Sequence, residues 1–137
     1  PGLYTLSADE VRPAFRQTDW FAAGAAGAGA KIPKGAAADS FSYLPLLLGD
    51  EKKYSRAPVV HHSAGGMFAI REGDWKLVLG NGSGGRQAPK GRPFQKPFFL
   101  ANMKTHSDET KNYVESKPDI AARLEVAAKR IRENERR

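Results

Sequence analysis

Three short apolar runs with turn residues between them fill residues 59–79, Val-Val-His-His-Ser-Ala-Gly-Gly-Met-Phe-Ala-Ile-Arg-Glu-Gly-Asp-Trp-Lys-Leu-Val-Leu. Pro58 opens the first run, and the β-branched pair Val59 and Val60 suits a strand. Ala64, Gly65 and Gly66 supply the backbone freedom for a reversal into the second run, residues 67–71. Glu72-Gly73-Asp74 forms a tight hairpin connection into the third, residues 75–79. Strand side chains alternate, so Met67, Ala69 and Arg71 share one face and Phe68 and Ile70 the other. The pattern predicts an antiparallel meander with at least one apolar face to cover.

Residues 98–101 add a fourth strand. The cover comes from the C-terminal stretch. Ser116-Lys117-Pro118-Asp119 reads as a helix start, with Ser116 as cap, Pro118 in the first turn and Asp119 answering as in a capping box. Ile120, Leu124, Ala127, Ala128 and Ile131 then form one apolar stripe at helical spacing. Arg123, Glu125, Lys129, Arg130 and Glu133 fall on the opposite face. The expected fold class is α+β: a small antiparallel sheet of about four strands with a C-terminal helix packed on it.

The N-terminal part is patterned differently. Residues 3–15 show no sustained period and read as a loop or an irregular strand end. Thr18 is placed to cap a helix near 18–28, with Asp19 favourable at its positive end. That helix runs into an Ala/Gly-rich tail and stops before Pro33. Its glycines Gly24, Gly27 and Gly29 each cost roughly 1 kcal/mol relative to Ala, so it needs tertiary contacts. Asp39-Ser40 is expected to cap a short helix near 40–48, interrupted by Pro45 and ended by Gly49. Leu44, Leu46, Leu47 and Leu48 are too apolar to be left in water. These signals divide the chain into residues 1–50 and residues 51–137.

At 137 residues the chain is one domain or a piece of a larger one. It has no cysteine, which excludes disulfides and thiolate metal sites. No apolar run approaches the roughly 20 residues of a membrane span. Pro1 opens the chain without a basic n-region or an apolar h-region, as a mature or cut product does. The net charge of +7 favours anionic partners without choosing among them. Much of the excess sits in residues 86–96 and 129–137.

Candidate chemistry is sparse. His61 and His62 are adjacent on a strand, so at most one faces a given site. One reading packs one under the sheet and leaves the other in solvent. The other puts one at the mouth of an active site, donating a hydrogen bond to an anionic oxygen. Zinc is not expected, because His106 is the only other histidine and no carboxylate has ligand spacing to the pair. Residues 80–97 are rich in Gly, Pro, Lys and Arg and run longer than most connections in compact domains. Within them Gly80-Asn81-Gly82-Ser83-Gly84-Gly85-Arg86 lacks the Gly-Lys-Ser/Thr ending of a phosphate loop. It reads as a mobile loop or as a rim whose amides and Arg86 meet an anion. Arg71 and Lys76 read as salt-bridged or surface strand positions. The basic C-terminal run reads as a solvated helix face. No aromatic follows Tyr113 to interleave with it, which argues against nucleic acid.

The residues also carry a family resemblance. Pro1-Gly2, Thr18-Asp19 and Asp39-Ser40-Phe41-Ser42-Tyr43-Leu44-Pro45-Leu46-Leu47-Leu48-Gly49 resemble successive segments near the C-terminal end of arylsulfatase-type sulfatases. Residues 59–77 are similar to that family's His-His-Ser-x-x-Gly-x-Phe-Ala-Ile-Arg-x-Gly-x-Trp-Lys-Leu hairpin, a specific motif. Residues 99–112 resemble its Leu-Tyr-Asn-Leu-x-x-Asp-Pro-x-Glu-Thr-x-Asn segment, with departures at Ala101 and at Thr105-His106-Ser107. The resemblance implies a C-terminal subdomain appended to an α/β domain of the alkaline-phosphatase type, residues 1–50 being the tail end of that domain. It implies sulfate-ester hydrolysis by the parent, with a formylglycine nucleophile and a calcium ion, neither held by this chain. The formylglycine motif Cys/Ser-x-Pro-x-Arg is absent.

Two functions of different class follow. In the first, the chain is the C-terminal portion of a sulfatase and lends His61, His62 and Arg86 to the rim of a pocket for a sulfated substrate. Its partner is then the remainder of the catalytic domain, with no nucleic acid and no membrane involved, and family habit places it in the periplasm or outside the cell. In the second, it is a stand-alone basic module for polyanions such as sulfated polysaccharide or nucleic acid. A cut-off subdomain exposes an apolar patch along Trp20, Phe21 and Leu44 to Leu48; a true module does not.

Overall fold

A computed structural model describes residue 14, residues 16–82 and residues 91–134. The chain forms two compact units, residues 1–57 and residues 58–137.

In the first unit, α1 spans Asp19–Gly27 and α2 spans Leu44–Leu47, followed by a short 3-10 turn at Glu51–Lys53. Both helices end in the same way. After α1 the amides of Gly29 and Ala30 donate to the carbonyls of Ala26 and Ala25, and after α2 those of Gly49 and Asp50 donate to Leu46 and Pro45. Gly29 and Gly49 take the positive φ that this closure requires. Pro45 lies in the first turn of α2, where its missing N–H is no loss, so it starts the helix instead of interrupting it.

The start of α1 departs from the sequence expectation. Thr18 makes no side-chain cap. Asp19 is instead fully buried and acts as a hub: it accepts from the amide of Arg16 at 2.6 Å, from the amide of Phe41 at 3.0 Å, and from the Arg56 guanidinium. Ser40, expected to cap the second helix, serves the first. Its hydroxyl accepts from the Ala22 amide at 3.0 Å and donates to the Thr18 carbonyl at 2.7 Å. Ser42 takes over at α2, accepting from the Leu44 amide. Periodicity marks where a helix begins but not which distant side chain reaches its end.

Burial alone pushes the Asp19 carboxyl up, but the amides of Arg16 and Phe41 and the Arg56 charge outweigh it, and the net displacement is downward. Ala23, Tyr43 and Leu46 make a small core. Trp20 and Leu48 stay 65% and 67% exposed, and Phe21 and Leu47 are exposed with them.

The second unit is a four-stranded antiparallel sheet in chain order: β1 Val59–His62, β2 Phe68–Glu72, β3 Trp75–Leu79 and β4 Phe99–Asn102. Helix α3, Pro118–Asn134, follows. The fold is therefore α+β, as the pattern predicts. Gly73 at positive φ turns β2 into β3, and Glu72 pairs with Trp75 across the turn. The register lines up Val60, Ile70, Leu77 and Leu100 across the sheet. On this row Ile70, Leu77 and Leu100 are fully buried, and Leu124 of α3 is buried in the same core. Full burial of each such side chain contributes about 1.5–3 kcal/mol. Ala121 and Ala128 share that face of the helix, while Ile120, Ala127 and Ile131 are only partly covered. Ser116 does not cap α3; its hydroxyl donates to the Tyr113 carbonyl. Met67, Ala69, Val78 and Phe99 form a smaller cluster on the other face of the sheet.

The free edge of β4 is closed by one side chain. Asn112 Oδ1 accepts from the Leu100 amide at 2.9 Å, its Nδ2 donates to the Phe98 carbonyl at 3.0 Å, and the Tyr113 amide donates to the Leu100 carbonyl at 2.8 Å. An exposed strand edge is a template for unwanted pairing, and this residue occupies it.

Two outcomes are expected. Leu124→Ala lowers unfolding stability by about 2–5 kcal/mol, whereas Val126→Ala, 65% exposed on the same helix, changes it by less than about 0.5 kcal/mol; urea titrations of the two variants check this. Arg56→Leu leaves the Asp19 carboxylate buried without its cation and costs about 3–5 kcal/mol. Asp19 titrates below its unfolded value, so its contribution is complete above roughly pH 4 and is lost as pH falls through the folded value. Trp20 fluorescence in a Trp75→Phe background reports both effects.

Candidate functional site

β1 is an edge strand, and its alternation separates the two candidate histidines. His61 pairs with Ala69 in a row that continues to Val78 and Phe99, on the face opposite α3. His62 pairs with Phe68 and then Leu79, on the face that α3 covers. Both imidazoles are solvent-exposed. The structure does not bring them together.

His62 begins a row of rings. Its ring centroid lies 5.3 Å from that of Phe68, and Phe68 lies 5.7 Å from Phe94. The Arg132 guanidinium sits 5.0 Å over the Phe94 ring. His62 Nδ1 is 3.1 Å from the Ser63 carbonyl oxygen. A carbonyl only accepts, so Nδ1 carries the proton, and in the neutral ring Nε2 is an acceptor. Only the imidazolium donates from Nε2 to an outside anion.

The row leads to the base of the Gly-rich loop. Gly80 bridges to Pro93, the Phe94 amide donates to the Leu79 carbonyl at 2.8 Å, and the Arg92 amide donates to Asn81 Oδ1 at 2.7 Å. The two legs run so close that a Cβ on Gly80 would strike the Met67 sulfur, and one on Gly91 would strike the backbone of Asn81 and Gly82. Glycine is required here for close approach of two chains. Arg86 lies in residues 83–90, outside the described residues. The two legs meet in a neck at the end of β3, where Gly80 faces Met67 and the ring of Phe94 lies against Phe68.

Other candidates are accounted for locally. Lys76 is held by Glu109, with both carboxylate oxygens within 2.8 Å of Nζ. The third histidine, His106, meets the Tyr113 hydroxyl at 2.9 Å and the Thr105 hydroxyl at 3.1 Å through Nδ1. Among the described residues no three of His, Cys, Asp and Glu come together as metal ligands. No described helix is long and apolar enough to cross a membrane.

No family model and no curated protein matches the chain. Solved structures do. A protein of Bacteroides thetaiotaomicron, BT33336S-sulf, described with the metabolism of multiple glycosaminoglycans, matches with a TM-score of 0.63 and 24% identity. The match covers 82% of this chain and 24% of that one. A structure described as Ps i-CgsB matches with a TM-score of 0.57 and 22% identity, over 86% of this chain and 23% of its own. The likeness is one of fold. The chain spans about a quarter of the length of each of these proteins.

Phe94, Lys96 and Arg132 were not singled out by sequence reasoning. Phe94 holds φ +59, a backbone region that bulky residues rarely enter, in a stretch whose composition reads only as loop. Arg132 looks like one more charge on the outer face of a basic helix. No spacing rule places it over a ring from residue 94.

The neck sets a prediction. Gly91→Ala should lower stability by about 1–3 kcal/mol through overpacking. Gly24→Ala, in α1 with open space around it, should raise it by about 0.5–1 kcal/mol. Paired urea titrations of the two variants measure the difference in sign.

Proposed function

We propose that this chain is the C-terminal portion of a sulfatase, lending rim and stability to a site whose nucleophile lies in the remainder of the parent protein. The observation that carries this is the fold match to BT33336S-sulf, which takes in 82% of this chain and only 24% of that one. That neighbour's designation is a sulfatase designation, and the His-His-Ser to Trp-Lys-Leu hairpin of this sequence resembles the same family. The exposed apolar side chains of the first unit, Trp20, Phe21, Leu47 and Leu48, suit a piece that meets further protein. A stand-alone polyanion module fits them less well.

On this reading the parent is a sulfuric-ester hydrolase. The chain has no cysteine and no Ser-x-Pro-x-Arg to become formylglycine, and no described carboxylate cluster suited to calcium. The same proposal assigns both groups, together with every bond-breaking step, to the remainder of the parent. The work left to this chain is binding. His62 shares a face of the sheet with Phe68, whose ring meets Phe94; His61 is on the other face. His62 and Arg86 form the proposed contact to a sulfated substrate, and His61, on the far face, takes no part in it. Export to the periplasm or beyond, where sulfated polymers are met, belongs to the same proposal.

Kinetics of the parent protein test it. His62→Ala should lower kcat/KM on the natural substrate by roughly ten- to a hundredfold, as expected for one charge-assisted hydrogen bond. His61→Ala should leave it within about twofold. Equal kcat/KM in wild type and His62→Ala would remove His62 from the rim. Turnover of an aryl sulfate by the pure 137-residue chain would remove the proposal itself.

A further inference from the structure

We propose that the groove between α3 and the β1–β2 end of the sheet binds a small aryl anion, with the ring system on the apolar floor and the charge at Arg132. This stands on the groove alone, whether or not the parent is a sulfatase. The space exists for a steric reason. Leu124 fills the helix–sheet interface at one turn of α3, but one turn later the same face offers only Ala128. A cavity of about 400 Å³ remains, floored by Val60, Leu79, Phe98 and Ala128. That is within the usual range for small-molecule sites, and the mixture of apolar floor with few polar groups is the usual lining.

The rim selects charge. Lys96, Lys129 and Arg132 line the groove with one carboxylate, Glu125. Glu125 engages Lys129 at 2.8 Å and Lys96 at 3.5 Å. The Lys129 hydrogen bond, with the Lys96 charge, holds its carboxyl below the usual carboxylate range despite partial burial. The third cation is placed differently. No carboxylate pairs with Arg132 among the described residues, and its guanidinium lies over Phe94. A guanidinium that lies over a ring and has no carboxylate partner has N–H donors left for an anion such as carboxylate or sulfonate.

Phe94 supplies a second, independent sign. It holds positive φ while its amide is tied to the Leu79 carbonyl, and its ring touches both Phe68 and the Arg132 head. A bulky residue kept in this conformation marks a position whose surroundings are built for it, and such positions cluster at ligand sites. Here the result is an aromatic wall with a cation on its outer surface, which is what an aryl anion requires. The anion would be a carboxylate, sulfonate or sulfate.

The test uses the full chain titrated with naphthalene-2-sulfonate and, separately, with neutral 2-methoxynaphthalene, by calorimetry and by NMR shift mapping. The sulfonate should bind with a Kd of about 1 mM or tighter, the level expected for a ligand of this size, and at least about tenfold more tightly than the ether. Arg132→Gln should weaken the sulfonate about tenfold and leave the ether unchanged. Ala128→Phe, which fills the floor, should abolish both. If Ala128→Phe does not fold, the shift map of wild type decides. Changes confined to Leu79, Phe94, Phe98 and Ala128 support the groove. Changes centred on Trp20, Phe21 and Leu48 overturn it, as do equal affinities for the two ligands, an unchanged Kd in Arg132→Gln, or no binding at millimolar concentration.

Discussion

The contact of Leu124 with the row Val60, Ile70, Leu77 and Leu100 is the constraint on which the second unit depends. A four-stranded sheet this small has one large apolar face, and a single helix has to cover it. Strand alternation then settles the rest. Once that row faces α3, His62 and Phe68 must face the same way, and His61, Ala69 and Val78 must face away. A shift of register by one residue would exchange the two histidines. The placement of any site on this sheet is thus a by-product of core burial.

Hydrogen-bonding side chains at the ends of the regular elements and outside them do the complementary work. Asn112 closes the edge of β4 with two hydrogen bonds and accepts a third, local one from the Val114 amide. Asp19 and Ser40 do the same for the start of α1, where Ser40 arrives from 18 positions along the chain to meet Ala22. Leaving such buried groups unpaired costs about 1–3 kcal/mol each, so these residues belong to the fold as firmly as the apolar core does. The sulfatase-like segments contain them: Thr18-Asp19, Asp39-Ser40 and the Glu-Thr-x-Asn end at Asn112. Much of that resemblance is therefore a record of folding requirements, and chemistry does not follow from it directly.

The site follows from the same economy. Rings from β1, β2 and the loop after β3 meet as tilted pairs because each is held by a backbone bond, that of Phe94 to Leu79 and those of the β1–β2 register. The small side chain of Ala128 leaves space under them, and the basic helix end brings Arg132 over it. The close approach at Gly80 and Gly91 fixes where the Gly-rich segment leaves the sheet.

The period of two in residues 59–79 and the apolar stripe of 120–131 determined the sheet, its hairpin and its helix, because those patterns state directly which side chains must leave water. The opposite facing of His61 and His62 was legible for the same reason. The sequence was less informative about Thr18, Ser40 and Ser116, because capping depends on partners that arrive through folding. It also could not show that His62 is the histidine on the helix side, because facing depends on which row the helix covers. The groove, the strained Phe94 and the placing of Arg132 above it were decided by tertiary structure alone: contacts between residues 38 positions apart leave no period in the chain.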